Sequence, residues 1–261
     1  MHPYVTIAVR AARAAGNIQL RHLDRLDTLT VSAKQARDFV SEVDQAAEAE
    51  IVRVIRRAYP DHAILGEETG RHGEAEVEWV VDPLDGTTNY LHGFPQFAVS
   101  IAVRRRGRLE VGVVYHPVLQ ELFVAVRGSG ATLNDRRIRV SRRTHLEEAL
   151  IGTGLPYLPH HDFDGYLKAL REVMRHTAGV RRAGAAALDL AYVAAGRLDG
   201  FWEYGLKAWD IAAGVLLIQE AGGLVSDPAG ADGYMDSGDV VCGNPKIQPQ
   251  LLELIRRGRA A

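Results

Sequence analysis

The sequence predicts a layered fold of helices and strands, of the α/β (α+β) class. In both halves of the chain, apolar residues recur at helical spacing. The first half adds three successive β-branched segments joined by short turns, and in the second half strands alternate with helices. The chain has 261 residues, 47% of them hydrophobic, which is enough for one large domain or two closely packed ones.

The first half is predicted to begin with two amphipathic helices separated by a short strand, and to continue as strands. The last three strands are connected by short turns, which favours antiparallel pairing. In order, the predicted elements are helix Tyr4–Leu26, strand Leu29–Ser32, a helix from Asp38 to Tyr59, strands Ala63–Gly66 and Val77–Val81, and strands Phe97–Val103, Leu109–Tyr115 and Glu121–Val126.

The second half is predicted to alternate strands and helices. No linker or repeat separates it from the first half, so the two should share an interface. We divide the chain into an N-terminal α+β half, 1–145, with the antiparallel sheet and the metal-binding motifs, and a C-terminal α/β half, 146–261, that completes the site. The elements predicted for the C-terminal half are strands near Ile151, Val180 and Val240–Cys242, and helices Tyr166–His176, Ala185–Ala195, Ala208–Ala221 and Pro249–Arg257.

Charge and cysteine content exclude several protein classes. The formal charge is -2, so the chain lacks the overall positive field of a dedicated DNA-binding protein. The single cysteine, Cys242, excludes an internal disulfide. Arg10 and Arg13 interrupt any N-terminal export signal, and no apolar window approaches the roughly 20 residues of a membrane span. We therefore expect a cytoplasmic protein without a membrane partner.

A concentrated polar motif follows the predicted strand Val77–Val81. Asp82 stands at the strand end, and Pro83 should end the strand because it has no amide hydrogen. Asp85 falls in the turn, where Gly86 tolerates unusual backbone angles. Thr87 or Thr88 can then begin a helix, whose free amides attract an anion. The motif therefore predicts a metal and phosphate site.

Four acids are candidates to converge there: Glu67 at a strand end, Asp82, Asp85, and Asp210 at the start of an apolar helix. Glu67 is preferred over Glu68 because adjacent residues of an extended chain point to opposite faces. Ligands that are all oxygen favour Mg²⁺, or Mn²⁺, over zinc. Two such ions about 3.5 to 4 Å apart would permit hydrolysis of a phosphate ester without a covalent intermediate.

Other interpretations of these residues remain open. Asp-Gly is also a common turn, and an aspartate such as Asp210 can cap a helix. Haloacid dehalogenase phosphatases place two aspartates after a strand with one residue between them, whereas two residues separate Asp82 from Asp85. That spacing argues against a phosphoaspartyl nucleophile.

Three separated motifs of this chain resemble the metal-site motifs of the inositol monophosphatase superfamily. They are Gly66-Glu67-Glu68-Thr69, Asp82-Pro83-Leu84-Asp85-Gly86-Thr87-Thr88-Asn89 and Trp209-Asp210-Ile211-Ala212-Ala213-Gly214. The stretch from Leu188 to Arg197 is similar to the bacterial SuhB-type branch. The resemblance implies an α-β-α-β-α sandwich, two or three Mg²⁺ ions, lithium sensitivity and a homodimer.

The resemblance also implies a role for each matching residue. Glu67, Asp82 and the Leu84 carbonyl would hold one metal ion, and Asp82, Asp85 and Asp210 a second, with a weaker third ion near Glu67. Thr87, supported by Asp44, would orient the attacking water. The implied substrate contacts are Gly86, Thr87, Thr88, Gly184, Ala185, Ala186, Glu203 and the loop lysine Lys34.

Two positions depart from the family pattern. Ala185 replaces the usual serine or threonine, so one polar contact near the substrate is missing. The loop from Leu155 to His161 lacks a serine that some relatives place near the inositol ring. These differences leave the substrate less defined than the reaction.

The function expected from the resemblance is that of an inositol-phosphate phosphatase, a phosphoric monoester hydrolase acting on inositol 1-phosphate or a similar polyol phosphate such as glycerol 2-phosphate. The alternative within the superfamily is a phosphatase for fructose 1,6-bisphosphate, nucleotide bisphosphates or NADP. The SuhB-type branch further implies a role in transcription antitermination, with Nus factors, RNA polymerase and RNA as partners. The arginines of 104–106 and 136–143 could serve that role, or form a solvated surface.

Overall fold

A computed structural model describes residues 2–29, 31–35, 38–156 and 162–260. Its helices are α1 (Pro3–His22), α2 (Glu42–Ala58), α3 (Thr87–Leu91), α4 (Phe163–His176), α5 (Ala186–Ala194), α6 (Ala208–Glu220), α7 (Tyr234–Ser237) and α8 (Ile247–Ala260), with 3₁₀ turns at Leu23–Thr28 and Leu146–Glu148. None of the described helices is long and apolar enough to cross a membrane.

The strands form a two-stranded ribbon, an eight-stranded sheet and a five-stranded sheet. They are β1 (Val31–Gln35), β2 (Asp38–Ser41), β3 (Ala63–Gly66), β4 (Gly70–His72), β5 (Val77–Asp85), β6 (Ala98–Arg105), β7 (Arg108–His116), β8 (Glu121–Val126), β9 (Gly130–Leu133), β10 (Arg136–Ile138), β11 (Leu150–Thr153), β12 (Gly179–Arg181), β13 (Gly200–Glu203), β14 (Leu224–Ser226) and β15 (Val240–Gly243).

The eight-stranded sheet has the order β10-β9-β8-β7-β6-β5-β3-β4, and the five-stranded sheet β12-β11-β13-β15-β14. In the large sheet β3 and β5 are parallel, and β5 to β10 pair antiparallel in sequence order. The antiparallel arrangement predicted for 97–126 is therefore confirmed. In the small sheet, β11 is parallel to both β12 and β13.

Three apolar clusters stack these elements into five layers. Trp79 and Val81 of β5 pack against α1 and α2, whereas Val80 faces α5 and α6, as the two-residue period of a strand requires. The far side of α5 and α6 meets the small sheet through Phe201, and α4 and α8 cover that sheet's other face around Trp202. The order is helix, sheet, helix, sheet, helix, so the α-β-α-β-α sandwich is confirmed.

Two predicted boundaries are wrong. Helix α2 begins at Glu42 rather than Asp38, because Ser41 caps it: the Ser41 hydroxyl accepts from Val43 N at 3.2 Å, and Asp44 accepts from Ser41 N at 2.8 Å. Residues Asp38–Ser41 are strand β2 instead. Pro83 does not end β5 either, because pairing with β6 resumes at Asp85 after an irregularity.

Candidate active site

The irregularity in β5 places Asp82 and Asp85 side by side. Asp82 pairs with Ser100 and Asp85 with Ala98, so β5 advances three residues while β6 advances two. In a regular strand, residues three apart point to opposite faces, but one extra residue restores a common face. The bulge is pinned from α1, since Gln19 Nε2 donates to Pro83 O at 2.7 Å.

Four carboxylates interact around this bulge. Burial is the main cause that raises the pKa of Asp82 well above its usual value, and Glu67, Asp85 and Asp210 add to it. The pKa of Asp85 is likewise raised well above its usual value by burial and then by Asp210. The structure therefore brings Glu67, Asp82, Asp85 and Asp210 together from β3, β5 and α6.

The donor set of this cluster suits a hard divalent cation. All four side chains offer oxygen only, and the mutual repulsion of their charges, which raises the pKa values, is relieved by bound positive charge. In the described part of the chain, no three acidic, histidine or cysteine side chains close around one ion-sized point. The residues present fit Mg²⁺ or Mn²⁺ by chemistry, as an open cluster.

The turn after the bulge has a shape that requires glycine. Gly86 has φ +94°, and a Cβ there would lie 2.8 Å from Gln96 O and 3.3 Å from the Ala185 Cβ. Thr87 is the first residue of α3, as one of the two predicted starts. Backbone can therefore approach the 184–186 segment closely. The amides of Gly86 and Thr87 directly follow Asp85 at the start of α3, where the first amides of a helix have no intrahelical acceptor.

Thr87 and Asp44 form the hydrogen bond that the family resemblance implies. Thr87 Oγ1 lies 2.9 Å from Asp44 Oδ1 and 3.0 Å from Leu84 O. One hydroxyl hydrogen can serve only one of these acceptors at a time, which leaves oxygen lone pairs that can accept from a water. Asp44 is held by Ser41, whose N and Oγ both donate to Asp44 Oδ2. Burial is the largest effect on Asp44 and raises its pKa.

A second group of charged residues borders the cluster from the small sheet. Glu203 ends β13, and its carboxyl lies against Gly154, where no Cβ would fit. Burial raises the pKa of Glu203 to about 8, with Asp189 and Asp210 adding to the rise and Arg182 opposing it. Asp189 is only 2% exposed, and its pKa is raised well above the usual value, first by burial and then by Asp85.

We call these two groups the α2 side (Asp44, Glu67, Thr87) and the β13 side (Arg182, Asp189, Glu203). Asp85 of the acid cluster connects them, because its Oδ2 accepts at 2.7 Å from the backbone N of Ala187, which lies in the same helix, α5, as Asp189. Asn89 adds a second link, since its Nδ2 donates to Ala183 O at 2.9 Å and lies 2.8 Å from Gln96 O.

Sequence reasoning missed Asn89, Arg182 and Asp189 as members of the site. Asn89 stood within the quoted motif, but its partner lies 94 residues away and no local pattern points to it. Asp189 lies inside an apolar helical stretch, where a lone acid suggests only a solvent-facing position. Asp210 is not the N-cap residue of α6, but it does help to cap this helix, because as the third residue of α6 it accepts from Lys207 N at 2.6 Å.

For two other predicted substrate residues, Thr88 and Lys34, the structure gives the element in which each lies. Thr88 is exposed in the first turn of α3. Lys34 lies in β1, but its side chain is outside the described part of the structure, as are residues 157–161 of the loop.

Comparison with known proteins identifies the family to which this chain belongs. The Inositol monophosphatase family matches residues 1–260. The chain belongs to this family. It is 56% identical to the Nus factor SuhB of Pseudomonas aeruginosa, over 98% of this chain and 97% of that protein. The chain superposes on the extragenic suppressor protein SuhB of Bartonella henselae with a TM-score of 0.95 and 46% identity, covering 98% and 99% of the two chains.

A further similar structure is the inositol monophosphatase of Anabaena (Nostoc) sp., with a TM-score of 0.86 and 38% identity, covering 97% of this chain and 95% of that one. The family and the fold predicted from the three motifs are both confirmed.

Proposed function

We propose that the protein is a Mg²⁺-dependent phosphomonoester hydrolase. The observation that carries the proposal is the group of four interacting carboxylates, with Asp82 buried among them, beside a glycine turn that begins helix α3. Such a group is costly to bring together without positive charge, and the first amides of a helix, which have no intrahelical acceptor, offer donors to an anion. The function of the family to which the chain belongs is consistent with this combination.

The residues of the site would have three different roles. The Gly86 and Thr87 amides would hold the phosphate, while Thr87, oriented by Asp44 at 2.9 Å, would accept a hydrogen bond from the attacking water. Glu67, Asp82, the Leu84 carbonyl, Asp85 and Asp210 would hold the metal ions. When bound, Mg²⁺ supplies Lewis-acid polarisation of phosphoryl oxygens and lowers the pKa of a water.

We propose inositol 1-phosphate or a similar polyol phosphate as substrate. Among the described residues, no hydrogen-bond donor reaches the carboxylates of Asp189 or Glu203, so both can accept hydroxyl groups of a polyol. A bisphosphate such as fructose 1,6-bisphosphate, a nucleotide bisphosphate or NADP remains the alternative, and it would need positive charge for its second phosphate. Arg182, which interacts with Glu203, is a described residue that could supply this charge.

Phosphate release over a substrate panel tests the proposal. The panel contains inositol 1-phosphate, glycerol 2-phosphate, fructose 1,6-bisphosphate and NADP, each with Mg²⁺, with Mn²⁺, with EDTA and with added Li⁺. We expect turnover of the polyol phosphates with Mg²⁺, none with EDTA, and inhibition by Li⁺. Turnover that persists in EDTA would refute metal dependence, and preference for fructose 1,6-bisphosphate or NADP would select the alternative.

A role in transcription is the second candidate function. Relatives of this chain are named Nus factors, and one arginine group supports a nucleic-acid or protein contact. Arg136, Arg137, Arg139 and Arg142 are exposed, and among the described residues none has an acidic partner within salt-bridge distance. The triplet 104–106 is different, because Glu76 and Glu78 pair with all three arginines.

Salt-dependent binding to single-stranded RNA and pull-down of Nus factors test this second function. Replacing Arg136 and Arg139 with glutamate should abolish binding and leave phosphatase turnover unchanged, while R105E should leave both unchanged. Equal binding by the wild type and the double variant would reject this surface.

Two further expectations are also proposals. The first is a homodimer, which light scattering would check. The second is the division of the chain at residue 145, which limited proteolysis would check.

A further inference from the structure

Helix α2 carries two buried acids one turn apart on the same face. Asp44 is 1% exposed and Glu48 is fully buried. Asp44 reaches forward to Thr87 of the phosphate turn. Glu48 reaches instead to the segment that follows β3, which contains Glu67. With a rise of about 1.5 Å per residue, the two anchor points are about 6 Å apart along one helix.

Among the described residues, all the hydrogen-bond partners of Glu48 lie in this one segment. Its Oε2 accepts from Glu68 N at 2.9 Å, and its Oε1 accepts from Thr69 N at 2.9 Å and from the Thr69 hydroxyl. Gly66 admits the carboxylate, because a Cβ there would lie 2.6 Å from it. A buried carboxylate is tolerated only with such bonds, so the segment and α2 hold each other in place.

We propose that Glu48 is a positioning residue for Glu67. Residue 67 stands between β3 and the two amides that Glu48 binds, and its own N donates to Val81 O at 3.1 Å. Helix α2 therefore fixes both Glu67, through Glu48, and Thr87, through Asp44. The inference rests on the proposed function in one respect, namely that Glu67 and Thr87 act on the same phosphate ester.

The decisive variant is Glu48→Gln. Glutamine has the same size, but its NH₂ group cannot accept from a backbone amide, so at least one of the bonds to Glu68 N, Thr69 N or the Thr69 hydroxyl is lost. Loss of partners that orient metal ligands costs about 10–100-fold in affinity or activity. We expect Mn²⁺ to bind about 10-fold more weakly by titration calorimetry, and kcat to fall about 10-fold with KM unchanged.

The matched control is Glu50→Gln, on the same helix. Glu50 pairs with Arg53 at 2.7 Å and has no described hydrogen bond to the segment after β3, so this variant should bind Mn²⁺ and turn over as the wild type does. Circular dichroism and thermal melting establish that both variants are folded. A merely structural role for Glu48 would lower the melting temperature without changing the Mn²⁺ affinity.

Folded E48Q with the wild-type Mn²⁺ affinity and kcat would overturn the proposal. Should E48Q not fold, Thr69→Ala takes its place, because Thr69 is exposed and the change keeps both backbone amides that Glu48 binds, removing only the hydroxyl's contacts with Glu48 and with the ring of His72. That variant should weaken Mn²⁺ binding by about 2- to 5-fold, and an unchanged affinity would overturn the proposal. If the wild type hydrolyses no ester, the proposed function fails, while the Mn²⁺ titration still decides the role of Glu48.

Discussion

The two sides of the site differ in how their polar groups are satisfied. On the α2 side, Asp44 accepts from Ser41 and Thr87, and Glu67 belongs to a segment that Glu48 holds by backbone amides. On the β13 side, no described donor bonds to the carboxylates of Asp189 and Glu203. One side is organised before a ligand arrives, and the other offers acceptors to a ligand. We therefore expect substitutions on the α2 side to change kcat and those on the β13 side to change KM.

Asp210→Asn should have the largest effect, because Asp210 interacts with Asp82 and also with Glu203, so it serves both sides. Replacing a residue that only orients a metal ligand lowers affinity or activity about 10–100-fold. Replacing a charged ligand itself should lower kcat/KM by more than that. The fold should persist, since asparagine can still accept from Lys207 N. Steady-state kinetics at saturating Mg²⁺ checks this, with exposed Asp232→Asn as control. Wild-type turnover in D210N would exclude Asp210 as a ligand.

Thr87→Val should come next. Valine keeps the shape of threonine but cannot orient water, and loss of such a group typically costs about 10²-fold or more in kcat. KM should stay within about threefold because the backbone amides remain. Thr132→Val, on β9 and away from the site, is the control. A rise in KM at constant kcat would contradict the expectation that substitutions on the α2 side change kcat.

Glu203→Gln should act through KM. With Mg²⁺ bound, positive charge beside Asp210 would favour the charged form of Glu203. Losing a charged acceptor for a hydroxyl costs about 1.5–3 kcal/mol, which corresponds to about 10-fold or more in KM for inositol 1-phosphate and glycerol 2-phosphate. The KM for p-nitrophenyl phosphate, which has no hydroxyl to bind, should not change and serves as the internal control. An equal effect on all three substrates would contradict a contact between Glu203 and the polyol.

The pKa of Glu203, raised to about 8 from 4.5, also makes stability depend on pH. The folded state binds this proton more tightly than the unfolded state, so the contribution is fully present below pH 4.5 and is lost as pH rises to about 8. Without divalent ions, the melting temperature should fall across this window. The fall should be smaller in E203Q, as measured by calorimetry with EDTA. Parallel curves for both proteins would show that Glu203 titrates normally.

Ala185→Ser should have the smallest effect. Ala185 is 1% exposed, and its Cβ would be 3.3 Å from a Cβ at position 86. A hydroxyl there supplies the polar group that the family resemblance leads us to expect at this position, and a neutral hydrogen bond contributes about 0.5–1.5 kcal/mol. We expect KM for inositol 1-phosphate to fall by about 2- to 10-fold, with kcat unchanged. A higher KM would show that the site has no room for the oxygen.

The sequence predicted elements where periodicity was long and strong. Helix α6 and the strands β6 to β8 are continuous apolar patterns, and all lie where expected. Strands β9 and β10 were missed because they are short, and β10 consists of two arginines and an isoleucine. The start of α2 was misplaced because Asp38 and Ser41 are both good caps, and only the observed bond from Val43 N distinguishes them.

For the site, local motifs identified the residues that are adjacent in sequence, but not those that support them. Glu48 lies in a helix that contains several acids, and nothing in its neighbours distinguishes it from Glu50 on the surface. Its partners are 20 and 21 residues away, and Asp189 interacts with Asp85, which lies 104 residues before it in the sequence. Such long-range contacts depend on how layers stack, which a single sequence does not reveal.

The tether from α1 to the β5 bulge has a practical consequence for how the protein can be cut or fused. Gln19 binds Pro83 O at 2.7 Å, and Tyr90 OH donates to Gln19 O at 2.7 Å, so the N-terminal helix buttresses both ends of the phosphate turn. A shortened protein that begins after residue 19 would lose both contacts, together with the α1 side chains that cover the large sheet, so we expect it to lose turnover. A fusion to this chain should therefore keep the first helix whole.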